Sequence, residues 1–318
     1  MPKKLCGLWE LFSEKSRDLQ INFVRQSGGH NSGSHCAAVM SNSRDILAFV
    51  HIGKAGGTTL IHILRRNFFL SSFDVRPLSK NSQGTFSADD LRKILLINPR
   101  IRCVMGHSIR AYSDTIDYAP NLRYITILRD PVSRCISQYQ QRVSKHGEID
   151  FDTFLTRDWL PNLQTRFIAG SQDLELAKEF LETKFFLVGI LEEFDAFLTI
   201  LARKLLPYGF DPSYQPMRVA RHSSIRDEIL YKYKERILEL HQLDLKLYDY
   251  ARSTLLAREK LAYGPTFDAD LAAQKQRNQD WSPSRTKPAI DFVVRKAYYD
   301  PVTSLIRVLN GLPAKGLR

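Results

Sequence analysis

The chain has 318 residues, enough for two domains of roughly 150 residues or for one long α/β domain. Its 43% hydrophobic and 11% aromatic residues can fill a sizeable core, and ordinary glycine (16) and proline (14) counts exclude a collagen-like or wholly disordered chain. The formal net charge of +12 favours anionic partners such as phosphates, acidic glycans, nucleic acid or an acidic membrane surface, although a solvated basic surface accounts for it equally well.

The longest apolar run, Phe185 to Leu191, is far too short to span a bilayer. Lys3 and Lys4 precede an apolar stretch that Glu10 interrupts, which is not the pattern of a signal peptide. A soluble, cytoplasmic protein is expected. Cys6, Cys36, Cys103 and Cys135 form no C-x-x-C pair, which fits a reducing compartment. Cys103 and His107 are four apart but lack a second ligand pair, so no metal is expected.

Residues 1–44 read as a flexible lead, because Gln26 to Ser34 is too polar and glycine-rich to bury surface. Met40, just before the first strong signal, is a candidate start. Ile46 to Val50 then reads as a buried strand ending at Gly53. Leu60, Ile63, Leu64 and Phe68 share one face of a helix over 57–70. Ser87 and Asp90 resemble a capping box opening a helix that runs through Ile97. Ile101 to Met105 and Tyr124 to Leu128 are further strands, and Asp130-Pro131 supplies an N-cap and first-turn proline for the next helix. Asp173 to Thr183 reads as a helix, Phe185 to Ile190 as a strand, Glu192 to Leu206 as a helix, and Ile225 to Ala262 as one long charged helix or a pair. Residues 263–318 read as a polar extension ending in an amphipathic stretch from Phe292 to Leu309. Strands alternating with helices predict an α/β domain over 45–262, its parallel central sheet flanked by helices.

His51-Ile52-Gly53-Lys54-Ala55-Gly56-Gly57-Thr58-Thr59 joins the first strand to the first helix. Glycines let the backbone turn tightly and aim N–H groups inward, and the helix N-terminus adds partial positive charge. Lys54 adds a mobile cation, and Thr58 and Thr59 add hydroxyl donors. The lysine precedes the glycines, so this is not a Walker A loop. A purely structural glycine-rich turn is the competing reading.

The segment resembles the phosphosulfate-binding loop of sulfotransferases that use 3′-phosphoadenosine-5′-phosphosulfate (PAPS), and within them the carbohydrate group containing heparan sulfate 2-O- and 6-O-sulfotransferases. A second match adds weight. Tyr124 to Tyr139, with Arg129-Asp130-Pro131 and Ser137 eight residues after the arginine, resembles that family's 3′-phosphate segment. A strand-end arginine and a hydroxyl on the next helix can together clamp an anion. Arg134 is expected to pair with a carboxylate and hold the motif.

Asn162 to Gly170 is similar to the family's N-x-Q-T-R-x-x-x-G stretch, which makes Arg166 a donor-site candidate. Phe186 to Phe194 resembles its V-G-x-x-E-x-F junction, and His241 to Tyr248 its D-x-x-L-Y helix, both expected to be structural. Arg221 and Ser223 fall where relatives carry a basic, hydroxyl-rich loop over the nucleotide. The resemblance covers about residues 45–260 and implies a P-loop-NTPase-like sulfotransferase fold, with PAPS as donor and a glycan hydroxyl as acceptor. Lys54, Ala55, Gly56, Gly57, Thr58, Thr59, Arg129, Ser137, Arg166, Arg221 and Ser223 would then hold the donor.

Sulfuryl transfer needs a group that stabilises the leaving phosphate, for which Lys54 is placed, and a general base. Of eight histidines, His107 comes off a strand end and resembles the Gly-His of 2-O-type relatives; His51 is the alternative. Two other classes compete. A polyanion or nucleic-acid binder would show basic and aromatic residues on one face, at which Tyr231 to Arg236 hints. A nucleotide kinase is disfavoured by the missing Walker A lysine.

Overall fold

The computed structural model describes residues 45–80, 84–215, 224–282 and 286–314. Five strands form one all-parallel sheet in the order β2-β3-β1-β4-β5, as the alternation of strands and helices predicted. The strands are β1 (Ile46–Val50), β2 (Ser72–Asp74), β3 (Cys103–Gly106), β4 (Leu122–Leu128) and β5 (Phe185–Ile190). β1 is central, between β3 and β4.

Side chains alternate across the sheet, and β1 therefore feeds two cores. Leu47 and Phe49 enter one together with Leu60, Ile63 and Leu64 of α1 (Gly57–Asn67). Ile46, Ala48 and Val50 enter the other with Leu91 and Ile94 of α2 (Ala88–Ile97). The Ser87–Asp90 capping box opens α2 as expected. After α3 (Thr115–Tyr118) and β4, Asp130 caps α4 (Pro131–His146) by accepting from the Ser133 N–H, with Pro131 in the first turn. A third core joins Cys135 and Ile136 of α4 to Phe151 and Phe154 of α5 (Phe151–Leu155) and to Tyr233 and Ile237 further along the chain.

Next come α6 (Leu163–Ala169), α7 (Leu174–Thr183, capped by Asp173), β5 and α8 (Phe194–Lys204). The stretch expected as one long helix or a pair is broken further, into α9 (Ser224–Leu240), α10 (Gln242–Tyr250), a π-helical turn at Ala251–Leu256 and α11 (Ala257–Tyr263). At the first break His241 is wholly buried between α9 and α10, and its Nδ1 accepts the N–H of the distant Asn162. The polar stretch after 263 contains a helix that the sequence reading left out, α12 (Phe267–Asp280). Then follow α13 (Thr286–Val294), a second π turn and α14 (Asp300–Leu309). Tyr299 fixes this last segment to the β2 edge, meeting Phe73 edge to face and accepting a hydrogen bond from Asn98. No helix among the described residues is long and apolar enough to cross a membrane.

Candidate active site

Ligands of open α/β sheets bind outside the carboxyl ends of the strands. Here the ends of β1, β3, β4 and β5 lie side by side, and they deliver His51–Gly56, His107, Arg129 and Glu192 to one edge.

The loop after β1 is built from backbone. Lys54 and Gly56 both have positive φ, at 69° and 76°, which turns the chain sharply into α1. Gly56 is the N-cap and has no side chain to occupy the first N–H groups, and the first turn carries no acidic residue to oppose an anion. Gly57 cannot be larger, because a Cβ there would lie 2.0 Å from the His51 ring. Ala55 is buried; Lys54, Thr58 and Thr59 remain half-buried at the rim.

His51 and His107 are stacked, with ring centroids 3.9 Å apart and planes at 22°. Burial, and then the neighbouring His107, pushes the pKa of His51 down to about 3, so its ring is neutral and a very weak base. The Nδ1 of His107 lies 2.8 Å from the His51 carbonyl. A carbonyl only accepts, so Nδ1 carries the proton and Nε2 keeps its lone pair. Partial burial lowers the pKa of His107 below the usual imidazole value; the carbonyl contact opposes this, and Arg110, Arg76 and Lys145 add to it. Arg110 is itself held, donating to the His107 and Ile109 carbonyls while its guanidinium lies 3.7 Å above the Phe167 ring.

The turn after β4 joins the β1 loop directly. Arg129 Nη1 donates to the Lys54 carbonyl at 2.9 Å, while its buried Nε has no hydrogen-bond partner among the described residues. An orphaned buried guanidinium donor at a strand end beside a glycine-rich loop fits an anionic group. Burial lowers the pKa of Arg129, and Glu192 counteracts this. Arg226 of α9 acts on Arg129 as a second cation and donates to the Ser133 hydroxyl at 3.2 Å. The sequence reading did not single out Arg226; its only signal was its place just beyond the basic 218–224 loop.

Beneath the turn lies a buried network assembled from distant segments. Gln164 bonds both backbone groups of Arg129, and Asp244 accepts from the Gln164 and Thr165 N–H groups and from the Thr165 hydroxyl. Glu192 accepts from the Asp130 N–H and from the Tyr248 hydroxyl. Arg134 is fully buried but does not form the expected carboxylate pair: its three guanidinium nitrogens have no hydrogen-bond partner among the described residues, and Asp244 acts on it only through space. The V-G-x-x-E-x-F and D-x-x-L-Y segments thus converge on the strand-end arginine.

The structure brings Lys54, Ala55, Gly56, Gly57, Thr58, Thr59, His107 and Arg129 to one edge of the sheet. Ser137 is half-buried on α4, next to Gln138, whose Oε1 stands 3.8 Å from where a Cβ on Gly53 would lie. Arg166 is engaged elsewhere, donating to the Asp158 carbonyl at 2.9 Å. Arg221 and Ser223 lie outside the described residues. No cluster of three metal-ligating side chains occurs among the described residues.

No family model and no curated protein matches the chain. Among solved structures, a sulfotransferase from Alicyclobacillus acidocaldarius is similar at 15% identity and a TM-score of 0.36, over 64% of this chain and 97% of that one. So slight a likeness leaves the functional reading to the site.

Proposed function

We propose that this protein is a sulfotransferase that moves the sulfuryl group of PAPS to a hydroxyl acceptor, with a glycan as the acceptor class. The observation that carries the reading is the Arg129–Lys54 contact. Through it the two segments that resemble phosphate motifs, 75 residues apart in sequence, meet at one edge of the sheet, where Arg129 Nε has no hydrogen-bond partner among the described residues.

In this reading the β1 loop and the α1 N-terminus take the 5′-phosphosulfate, and Arg129, with Ser137, takes the 3′-phosphate. The sulfuryl group passes in line from the phosphate oxygen to the acceptor oxygen through a loose transition state, so positioning and charge stabilisation supply most of the catalysis. Lys54 stabilises the charge that grows on the leaving phosphate. His107 takes the acceptor's proton at Nε2, and its Nδ1–H, bonded to the His51 carbonyl, keeps the ring in that tautomer. The buried, weakly basic His51 serves as a platform for His107. Arg76, Arg110 and Lys145 are the cations that act on His107, and positive charge around the base favours an acidic glycan over a neutral one.

The test is calorimetric binding of adenosine 3′,5′-bisphosphate, the desulfated product, against ATP. Micromolar binding that prefers the bisphosphate and collapses in Lys54→Ala and Arg129→Ala supports the reading. No binding, or a preference for ATP, removes it.

A further inference from the structure

We infer that Gln164 is the positioning residue of the Arg129 clamp and sets the preference for a 3′-phosphate, with Asp244 holding Gln164 in register. The inference rests on the donor-site reading above.

Arg129 follows the last residue of β4 and precedes α4, so neither the sheet ladder nor the helix takes up its backbone groups. Gln164 takes up both. Its Oε1 accepts from the Arg129 N–H at 2.9 Å and its Nε2 donates to the Arg129 carbonyl at 2.9 Å. One carboxamide grips one residue through the two peptide units that flank its Cα, which fixes rotation as well as position. Gln164 is fully buried, so it has no solvent-facing alternative. Its own backbone is anchored in turn: Asp244 Oδ2 accepts the Gln164 N–H at 3.0 Å, and Oδ1 accepts the Thr165 N–H at 2.8 Å and its hydroxyl at 2.9 Å. Asn162 ties the same turn to the start of α10 by accepting the Leu243 N–H at 2.9 Å.

The outward end of this chain is functional in form. The residue so gripped is the one whose side chain reaches the Lys54 carbonyl and whose buried Nε has no partner among the described residues. Satisfying the two backbone groups of a strand end does not by itself need both contacts to come from one side chain. Precise aim of a guanidinium does, because a small displacement of a charged hydrogen bond forfeits most of its discrimination.

The experiment measures the dissociation constants of adenosine 3′,5′-bisphosphate and of AMP, which lacks the 3′-phosphate, for the wild type and for Gln164→Met, together with thermal unfolding. Gln164→Met keeps the volume and removes both bonds. The expected result is a roughly tenfold loss in the ratio of the two constants, with AMP binding unchanged. An unchanged ratio, or a parallel loss for both nucleotides with a lowered melting temperature, overturns the inference. Should Gln164→Met fail to fold, Gln164→Glu, which keeps the acceptor for the N–H and loses the donor to the carbonyl, is read by the same ratio. A wild-type protein without any preference for the bisphosphate instead overturns the donor-site reading itself.

Discussion

The loop after β1 and the turn after β4 meet at one hydrogen bond, yet they are built by opposite means. The β1 loop is local. Two positive-φ residues, a bare helix N-cap and a glycine pressed against His51 shape it within seven residues. The β4 turn is non-local: Gln164 and Glu192 hold its backbone, and Asp244 and Tyr248 hold them in turn, from segments 35 to 119 residues beyond Arg129. A cradle for a group common to all nucleotides can be written in backbone. A clamp for one distinguishing phosphate needs an aimed side chain, and aiming it takes a supporting shell.

Mutations can break this contrast in order of size. His107→Ala removes the proposed base, which hangs from the β1 loop by one bond to the His51 carbonyl. We expect turnover to fall about 10²- to 10⁴-fold while bisphosphate binding stays intact; initial rates with PAPS and a sulfated-glycan screen measure it. Because the base acts when neutral and its pKa is lowered, the rate should rise with pH through an apparent pKa below 6.5. An acid limb above that value would contradict the assignment.

Arg129→Ala should weaken adenosine 3′,5′-bisphosphate roughly 10- to 100-fold and AMP hardly at all, since only one ligand carries the contacted group. Gly57→Ala tests the other side. Its Cβ would strike the His51 ring, so a stability loss of about 1–3 kcal/mol is expected, with both nucleotides weakened alike. Equal effects of Gly57→Ala and Arg129→Ala on the two ligands would erase the distinction between the loops.

The smallest effect is on stability. His51 and His241 have folded pKa values near 3, against 6.5 in the unfolded chain, both chiefly through burial. Lowered histidine values leave stability unchanged above about pH 6.5 and reduce it as pH falls below, because the unfolded state then binds more protons. Each should contribute a slope of about 1.4 kcal/mol per pH unit between pH 6 and 4. Denaturant unfolding at several pH values reads the slope, and His241→Gln should lower it by about 1.4 kcal/mol per pH unit. An unaltered slope in that variant would show that His241 protonates freely in the fold.

Much of this was legible before the structure, where signals were short-range. Ile46–Val50, the Ser87–Asp90 box and the Asp130-Pro131 cap each act within a few residues. Other features escaped for identifiable reasons. Ser72–Asp74 is too short to show a period of two, and α12 is polar on most faces, so neither has a hydrophobic pattern to read. The charged stretch from Ile225 reads as one helix or a pair, and the place of its break depends on His241 finding a buried position, with Nδ1 accepting the Asn162 N–H. Arg166 carries a motif-like spacing, yet its guanidinium turns to Asp158.

The sequence by itself determined the α/β class, the glycine-rich loop after β1 and the strand-end arginine, because each follows from local backbone preference and residue pattern. Tertiary structure alone decided which nitrogen of His107 is free, that His51 is its platform, and that Gln164 grips Arg129. Those facts depend on strand neighbours and on hydrogen bonds between segments far apart in the chain, and such pairings exist only once the sheet has set its order.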